Sequence, residues 1–334
     1  MKKVKIGVIG LGFFGEKHLD VLSTMPQVEI YAVCTRNTGR LKAFAEKYSV
    51  PKQYTDYKEL INDSNIDVVN IVTHVDAHYE PALYALNAGK HVFLEKPMAP
   101  TVEECDRIVE AVGRSSRCFM TGHICRFDTN YRMAKNKIDS GEIGEVLTIY
   151  TRRNLSGKIG EFVLDKISPI TGDIIHDVDL MLWMTGYKIK SVYALSVRAR
   201  KFKNPDIGWA VFHFENGAAG IAESAWCLPE KTPFDIDSRM EIIGTKGAIY
   251  IYDSNSSFII DSESGRRNPD LSYWPVIDGK RIGALRVELD YFLNCIMEDR
   301  KPDIIKPWES REAVRAVLAA EESSKRGEIV YLLK

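Results

Sequence analysis

The hexapeptide Gly10-Leu11-Gly12-Phe13-Phe14-Gly15 constrains this chain more than any other stretch, because of what stands on either side of it. Before it lies Val4–Ile9, mostly β-branched, the composition of a strand buried on both faces of a parallel sheet. After it, residues 14–22 carry a helical pattern. In that setting Gly10 permits a tight turn, Gly12 lets the backbone approach a pyrophosphate, and Gly15 lets helix and strand pack closely. The N-terminus of the helix attracts the phosphate charge. The same spacing elsewhere is an ordinary glycine turn. At the first strand of an alternating domain it predicts dinucleotide binding, with Phe13 and Phe14 inside the binding turn.

Alternation does continue. Strands are expected at residues 29–34, 67–72, 91–94 and 118–121, and helices at 38–48, 78–88 (closed by Gly89) and 102–113. In the helix at 38–48, Leu41, Phe44, Ala45 and Tyr48 share one face. Successive units of this kind build an α/β Rossmann doubly wound parallel sheet with right-handed crossovers. Beyond Gly122 the rhythm changes. Helices at 131–140 and 173–184 alternate with strands at 145–152, 189–198, 207–214, 218–225, 238–244 and 247–252. Several of those strands follow one another without a helix between them, which predicts an α+β domain with an open, mainly antiparallel sheet. Residues 261–283 are expected as a surface loop, 285–299 and 307–324 as helices, and 328–332 as a last short strand. We therefore expect a dinucleotide-binding Rossmann domain over residues 1–122 and a substrate-binding and oligomerisation domain over residues 123–334.

Bulk properties narrow the function. A chain of 334 residues exceeds what one hydrophobic core usually organises, which favours two domains. The 45 basic and 46 acidic side chains leave a net charge of -1, so there is no electrostatic footprint for nucleic acid or an anionic membrane. The cysteines Cys34, Cys105, Cys118, Cys125, Cys227 and Cys295 are scattered, with no C-x-x-C spacing, as expected of free thiols in a reducing cytosol. The lysines at the start precede an apolar run broken by glycines that ends at Glu16 and Lys17, which suits a first strand better than a signal peptide. No stretch approaches the roughly 18 uninterrupted apolar residues that span a bilayer. A cytoplasmic location is expected.

Two further segments point to the cofactor. An NAD-binding domain of this type usually offers a carboxylate to the ribose hydroxyls about twenty residues after the glycines. Here the segment reads Cys34-Thr35-Arg36-Asn37-Thr38-Gly39-Arg40, without one. Thr35 can donate to a phosphate and Arg36 and Arg40 can pair with it bidentately, which suits NADP while leaving NAD possible. Solvated arginines at the start of a helix are the plain alternative. Further on, Glu95-Lys96-Pro97 closes a predicted strand, at the sheet end where open α/β sheets bind ligands, and points Lys96 toward the cofactor. The proline biases Lys96 to an extended conformation.

Taken together, these motifs, with Thr73 and His78, Gly89-Lys90-His91-Val92 leading into Glu95-Lys96-Pro97, and Gly122-His123 leading to Arg126-Phe127, resemble the Gfo/Idh/MocA family. The likeness runs over nearly the whole chain. It implies a bound nicotinamide cofactor contacted by Thr73, His78, Glu95 and Lys96 as well as the glycine turn. It implies sugar, cyclitol or nucleotide-sugar substrates, and a sheet whose second face often builds a homo-oligomer, here a dimer or tetramer. Lys96 matches the family lysine that serves cofactor and substrate, and His176 matches the family histidine used as acid/base. Both assignments make chemical sense. Hydride removal from a secondary alcohol needs a base for the hydroxyl proton, and a cation can stabilise the developing alkoxide. His123, Arg126 and Asp173 are the further candidate substrate contacts.

The chain also departs from the pattern. Relatives often carry an aspartate four residues before the histidine, whereas here that position is Gly172 and the acid is Asp173. On an α-helix a one-residue offset turns a side chain by about 100°. His74 stands where relatives often have proline. A metal site around Asp173, Asp177 and Asp179 lacks a second histidine or a thiol, and hydride transfer needs none. The reading that results is an NAD(P)-dependent dehydrogenase acting on a CH-OH group, with a non-catalytic dinucleotide sensor as the alternative.

Overall fold

The computed structural model describes residues 3–252 and 258–333, so the lysine-rich start is seen only from Lys3 onward. The chain forms two compact units, Met1–Phe127 with Tyr273–Arg311, and Asp128–Ser272 with Glu312–Lys334. Tyr273–Arg311 therefore packs with the first unit, although a single boundary at 122/123 would assign it to the second half.

In the first unit, β1 (Val4–Ile9), α1 (Phe13–Leu22), β2 (Val28–Cys34), α2 (Thr38–Lys47), β3 (Lys52–Tyr54), α3 (Tyr57–Asn62), β4 (Val68–Ile71), α4 (Tyr79–Asn87), β5 (His91–Glu95), α5 (Val102–Arg114) and β6 (Phe119–Gly122) follow in order. The strands form one parallel sheet in the order β3-β2-β1-β4-β5-β6. The fold expected from the alternation is thus present. Side chains set the helix starts: Asn37, Asp56 and Thr101 each accept a backbone N–H of the first turn of α2, α3 and α5. Two elements escaped the pattern. β3 is a three-residue edge strand without a buried residue, and α3 has only six residues, too few for either period to show. Strand order reverses between β1 and β4, and in doubly wound sheets ligands bind beyond the carboxyl ends of the strands at that point.

The helix Ala284–Met297 and a small hairpin, Val276–Ile277 with Lys280–Arg281, complete this unit. The segment expected as a loop at 261–283 thus carries strands at both ends, the other pair being Ile260–Ser262 and Gly265–Arg267. Arg281 of the hairpin grips Asp20 of α1 at 2.9 and 3.2 Å, and Trp274 packs edge-on against Phe14, 5.5 Å between centroids.

The second unit contains α6 (Thr129–Asp139), β7 (Val146–Leu155), α7 (Gly157–Val163), α8 (Ile175–Thr185), β8 (Ile189–Val197), β9 (Ile207–Phe214), β10 (Ala219–Ala225), β11 (Ile236–Gly244) and β12 (Ala248–Tyr252). Its seven-stranded sheet runs β12-β11-β7-β10-β9-β8 and then the terminal strand Val330–Tyr331. All neighbours are antiparallel except β7 and β10. The helix expected from residue 173 begins differently, because Ile170–Ile174 forms a π-helical turn before α8.

Candidate functional site

In the first unit the glycine turn has the geometry its sequence demands. Gly10 has φ +100°, its N–H donates to Cys34 O at 3.0 Å, and a Cβ there would lie 2.4 Å from Val72 O. A Cβ on Gly15 would lie 2.1 Å from Gly10 O, so the helix sits directly on the turn. Gly12, at the N-cap of α1, differs from both. A Cβ there would meet nothing within 4 Å, and no side chain caps the helix. An open backbone at an uncapped helix N-terminus, at the strand reversal, fits a pyrophosphate. Phe13 is 78% exposed beside it, with Lys17 Nζ 4.3 Å from its ring centroid.

At the end of β2, burial, and after it the charges of Asp56 and Glu59, push the Cys34 thiol up to about 12, so it is neutral. Thr35 Oγ1 accepts from Asn37 N–H, Arg36 is exposed, and Arg40 reaches back to Leu11 O at 3.2 Å. Arg40 therefore lies by the glycine turn, and Thr35 and Arg36 follow the strand end whose carbonyl accepts from Gly10.

Beyond β4, Thr73 Oγ1 donates to Ala77 O at 2.9 Å. His74 pairs instead with Asp76, 3.3 Å away, just before a short 3-10 turn, Val75–Ala77. His78 is 1% exposed, with Nδ1 2.7 Å from Pro97 O and Nε2 3.0 Å from Thr73 O. Burial holds its basicity below the ordinary histidine value, so a neutral ring donates to the nearer carbonyl. His78 therefore ties the loop after β4 to the loop after β5, rather than facing a cofactor as its place in the motif suggested.

Glu95 ends β5 and is 6% exposed, and Lys96, half-buried, follows it at the same carboxyl edge of the sheet as the glycine turn. The Lys96–Pro97 peptide is cis. Glu95 Oε1 lies 3.1 Å from His18 Nε2, and Asn70 Nδ2 lies 3.0 Å from His18 Nδ1. His18 and Asn70 were not singled out in the sequence, although His18 stands three residues beyond the last glycine of the turn. His123 is buried, its N–H donating to Thr121 O.

Arg126, expected as a substrate contact, is fully enclosed. Its guanidinium donates to Ile304 O at 2.8 Å and to Glu309 Oε2 at 2.6 Å, an arrangement that closes the interior of the unit.

In the second unit Asp173 lies in the π turn, so the 100° rotation expected for an α-helix does not describe it. Its Oδ2 accepts the indole N–H of Trp226 at 2.7 Å. A Cβ on Gly172 would come within 2.6 Å of that same ring, so the glycine at the departing position makes room for the tryptophan. His176 is in the first turn of α8 and 8% exposed. Next to it, Asp177 meets Arg153 at 3.1 Å, and burial pushes its carboxyl up to about 6 against the pull of that guanidinium. Among the described residues, no three His, Cys, Asp or Glu side chains come together as metal ligands, and no helix is long and apolar enough to cross a membrane.

Comparison with known proteins follows the same division. Residues 4–123 match the family model described as "Oxidoreductase family, NAD-binding Rossmann fold", and residues 131–250 match the "GFO/IDH/MocA C-terminal domain". The inositol 2-dehydrogenase of Salmonella typhimurium is 39% identical over 195 residues, 57% of this chain and 57% of that protein, so the match spans little more than half of the relative. Inositol 2-dehydrogenase 2 of Saccharopolyspora erythraea is 32% identical over 254 residues, 75% of this chain and 73% of the relative. Among solved structures, an apo scyllo-inositol dehydrogenase from Lactobacillus casei superposes with a TM-score of 0.85 at 25% identity, covering 99% of this chain and 98% of that one.

Proposed function

Since the chain belongs to the Gfo/Idh/MocA family, we propose that it is an NAD(P)-dependent dehydrogenase that moves a hydride between nicotinamide C4 and a secondary alcohol or ketone carbon of a cyclitol or sugar. The observation that carries this reading is the placement of Lys96 at the carboxyl edge of the sheet that also bears the open Gly12 turn. The nicotinamide ring supplies the acceptor for the hydride. Gly12 and the first amides of α1 would hold the pyrophosphate, and Thr35, Arg36 and Arg40 the adenosine ribose. In the oxidative direction the imidazole of His176, in the second unit, would take the hydroxyl proton and the Lys96 ammonium, in the first, would stabilise the oxygen while the carbon gives its hydride to the nicotinamide. Asp173, held by Trp226, is the further substrate contact of this proposal, whereas His123 is as enclosed as Arg126.

A panel of cyclitols, aldoses, deoxysugars and nucleotide sugars, offered with NAD and with NADP and read by nicotinamide absorbance, tests it. At least one pair is expected to turn over. No turnover with any of them would favour a dinucleotide sensor. We also propose a preference for NADP, supported by the neutral thiol of Cys34 and the exposed guanidinium of Arg36 where a carboxylate would select NAD. A charge-assisted hydrogen bond contributes about 1.5–3 kcal/mol. Arg36→Ala should therefore weaken NADP roughly 10–100-fold and leave NAD unchanged. If the wild type already binds NAD more tightly in a fluorescence titration, the preference is wrong.

A homo-oligomer, dimer or tetramer, is part of the same proposal. Tyr193 and Leu195 of β8 stand opposite Val211 and Trp209 of β9 on an exposed sheet face, 38–52% accessible. Apolar faces of this kind are commonly covered by a second copy. Sedimentation at the monomer mass would count against it.

A further inference from the structure

We propose that His18 is a positioning residue for Lys96, acting through Glu95 by a buried hydrogen-bonded relay that starts at Asn70. The inference rests on the role proposed above for Lys96 and adds the residues that would hold it. The relay joins three elements distant in sequence: Asn70 in β4, His18 in α1 and Glu95 at the end of β5. Asn70 and His18 are 2% and 0% exposed. The amide nitrogen of Asn70 donates to His18 Nδ1 at 3.0 Å. The ring proton therefore sits on Nε2, and from there it is donated to Glu95 Oε1 at 3.1 Å. The second carboxylate oxygen, Oε2, turns back to accept the backbone N–H of Lys96 at 3.2 Å. On the far side of Lys96, Pro97 O is held by His78 Nδ1. The dipeptide that carries the ammonium is thus anchored at both ends by buried histidines, one directly and one through Glu95.

Packing supports the relay. The imidazole of His18 lies edge-on between Phe14 and Phe93, 5.1 and 5.7 Å between centroids, so two aromatic rings flank it beside the carboxylate. A Cβ on Gly122, in the neighbouring strand β6, would stand 2.6 Å from Glu95 Oε1, so that glycine makes the space the carboxylate occupies. A buried carboxylate held by a fixed donor is a rigid support. Its effect on chemistry is steep, because a misplacement of about 1 Å at a reacting group can cost about 10²-fold in rate.

The test uses two amides that imitate one ring nitrogen each. The side-chain nitrogen of glutamine reaches the place of Nε2 and can donate to Glu95, whereas that of asparagine reaches only the place of Nδ1. His18→Gln is expected to keep kcat within about fivefold of wild type. His18→Asn and His18→Leu should lower it roughly 10–100-fold, with KM and the NADPH dissociation constant moving less than about threefold. Hydrogen exchange at the Lys96 amide gives a readout independent of turnover: it should quicken about tenfold or more in His18→Asn and stay near wild type in His18→Gln. Equal behaviour of the glutamine and asparagine variants in both measurements would overturn the proposal, even if the leucine variant fails to fold. Quickened exchange in His18→Asn without any loss of kcat would overturn it as well. If the wild type turns over no substrate at all, the proposed dehydrogenase activity fails, while amide exchange still decides whether His18 holds Lys96.

Discussion

Lys96→Ala is expected to lower kcat by roughly 10²–10³-fold while changing the affinity for the reduced dinucleotide by less than about tenfold. The range is that of a single group stabilising charge that develops in the transition state. Binding and turnover should separate because, in the proposed function, the dinucleotide would be held mainly by the glycine turn and the end of β2, whereas the ammonium would act on the reacting oxygen. The side chain is half-buried at the end of a strand whose residues Val92, Phe93 and Leu94 are fully packed, so alanine leaves the framework intact. Initial rates with the best substrate of the panel, together with fluorescence titration of NADPH, separate the two quantities. Unchanged turnover would remove Lys96 from the mechanism. A loss confined to KM would mean that it contributes equally to ground-state and transition-state binding.

The second large effect is a contrast between two glycines two residues apart. Gly10→Ala should destabilise the protein by about 2–5 kcal/mol. About 1–2 kcal/mol comes from holding an alanine at φ +100° and about 1–3 from forcing its methyl into the backbone at Val72. Against a typical total of 5–15 kcal/mol that is a large fraction, visible as an earlier denaturation midpoint. Gly12→Ala should leave the midpoint within about 0.5 kcal/mol of wild type, because its Cβ meets nothing within 4 Å and its φ of -79° suits alanine. The same methyl would stand where the pyrophosphate approaches the backbone. Losing even one charge-assisted bond to it weakens dinucleotide binding roughly 10–100-fold. Denaturation and dinucleotide titration on both variants read the outcome. If Gly12→Ala binds dinucleotide as wild type does, the pyrophosphate does not sit on that turn.

Features visible in the sequence are those set by short-range geometry. The glycine spacing and the alternation of periods 2 and 3.6 each involve residues close together in the chain, and each is present in the fold. Places where expectation and structure part have long-range or non-α causes. Arg126 carries a charge that suggested a substrate contact, but its partners are Ile304 and Glu309, 178 and 183 residues away, and nothing local announces them. His78 belongs to the motif, yet its two ring nitrogens meet the carbonyls of Thr73 and Pro97, a tie that appears only once β4 and β5 lie side by side. The offset at Gly172 and Asp173 was judged on α-helical geometry, whereas the π turn and the ring of Trp226 place the carboxylate by other means.

What the amino-acid order alone determined is the frame: a parallel sheet with a tight glycine turn after its first strand, then a mainly antiparallel domain, because strand and helix periods and the steric freedom of glycine are properties of neighbouring residues. What the tertiary structure decided is which side chains meet on that frame. Parallel strands in register bring Glu95 within reach of His18, 77 residues earlier, and Asn70 within reach of the same ring from 52 residues beyond it. Tyr273–Arg311 returns to pack with the first unit. Such meetings depend on three-dimensional packing among residues far apart in the chain, and no local pattern encodes them.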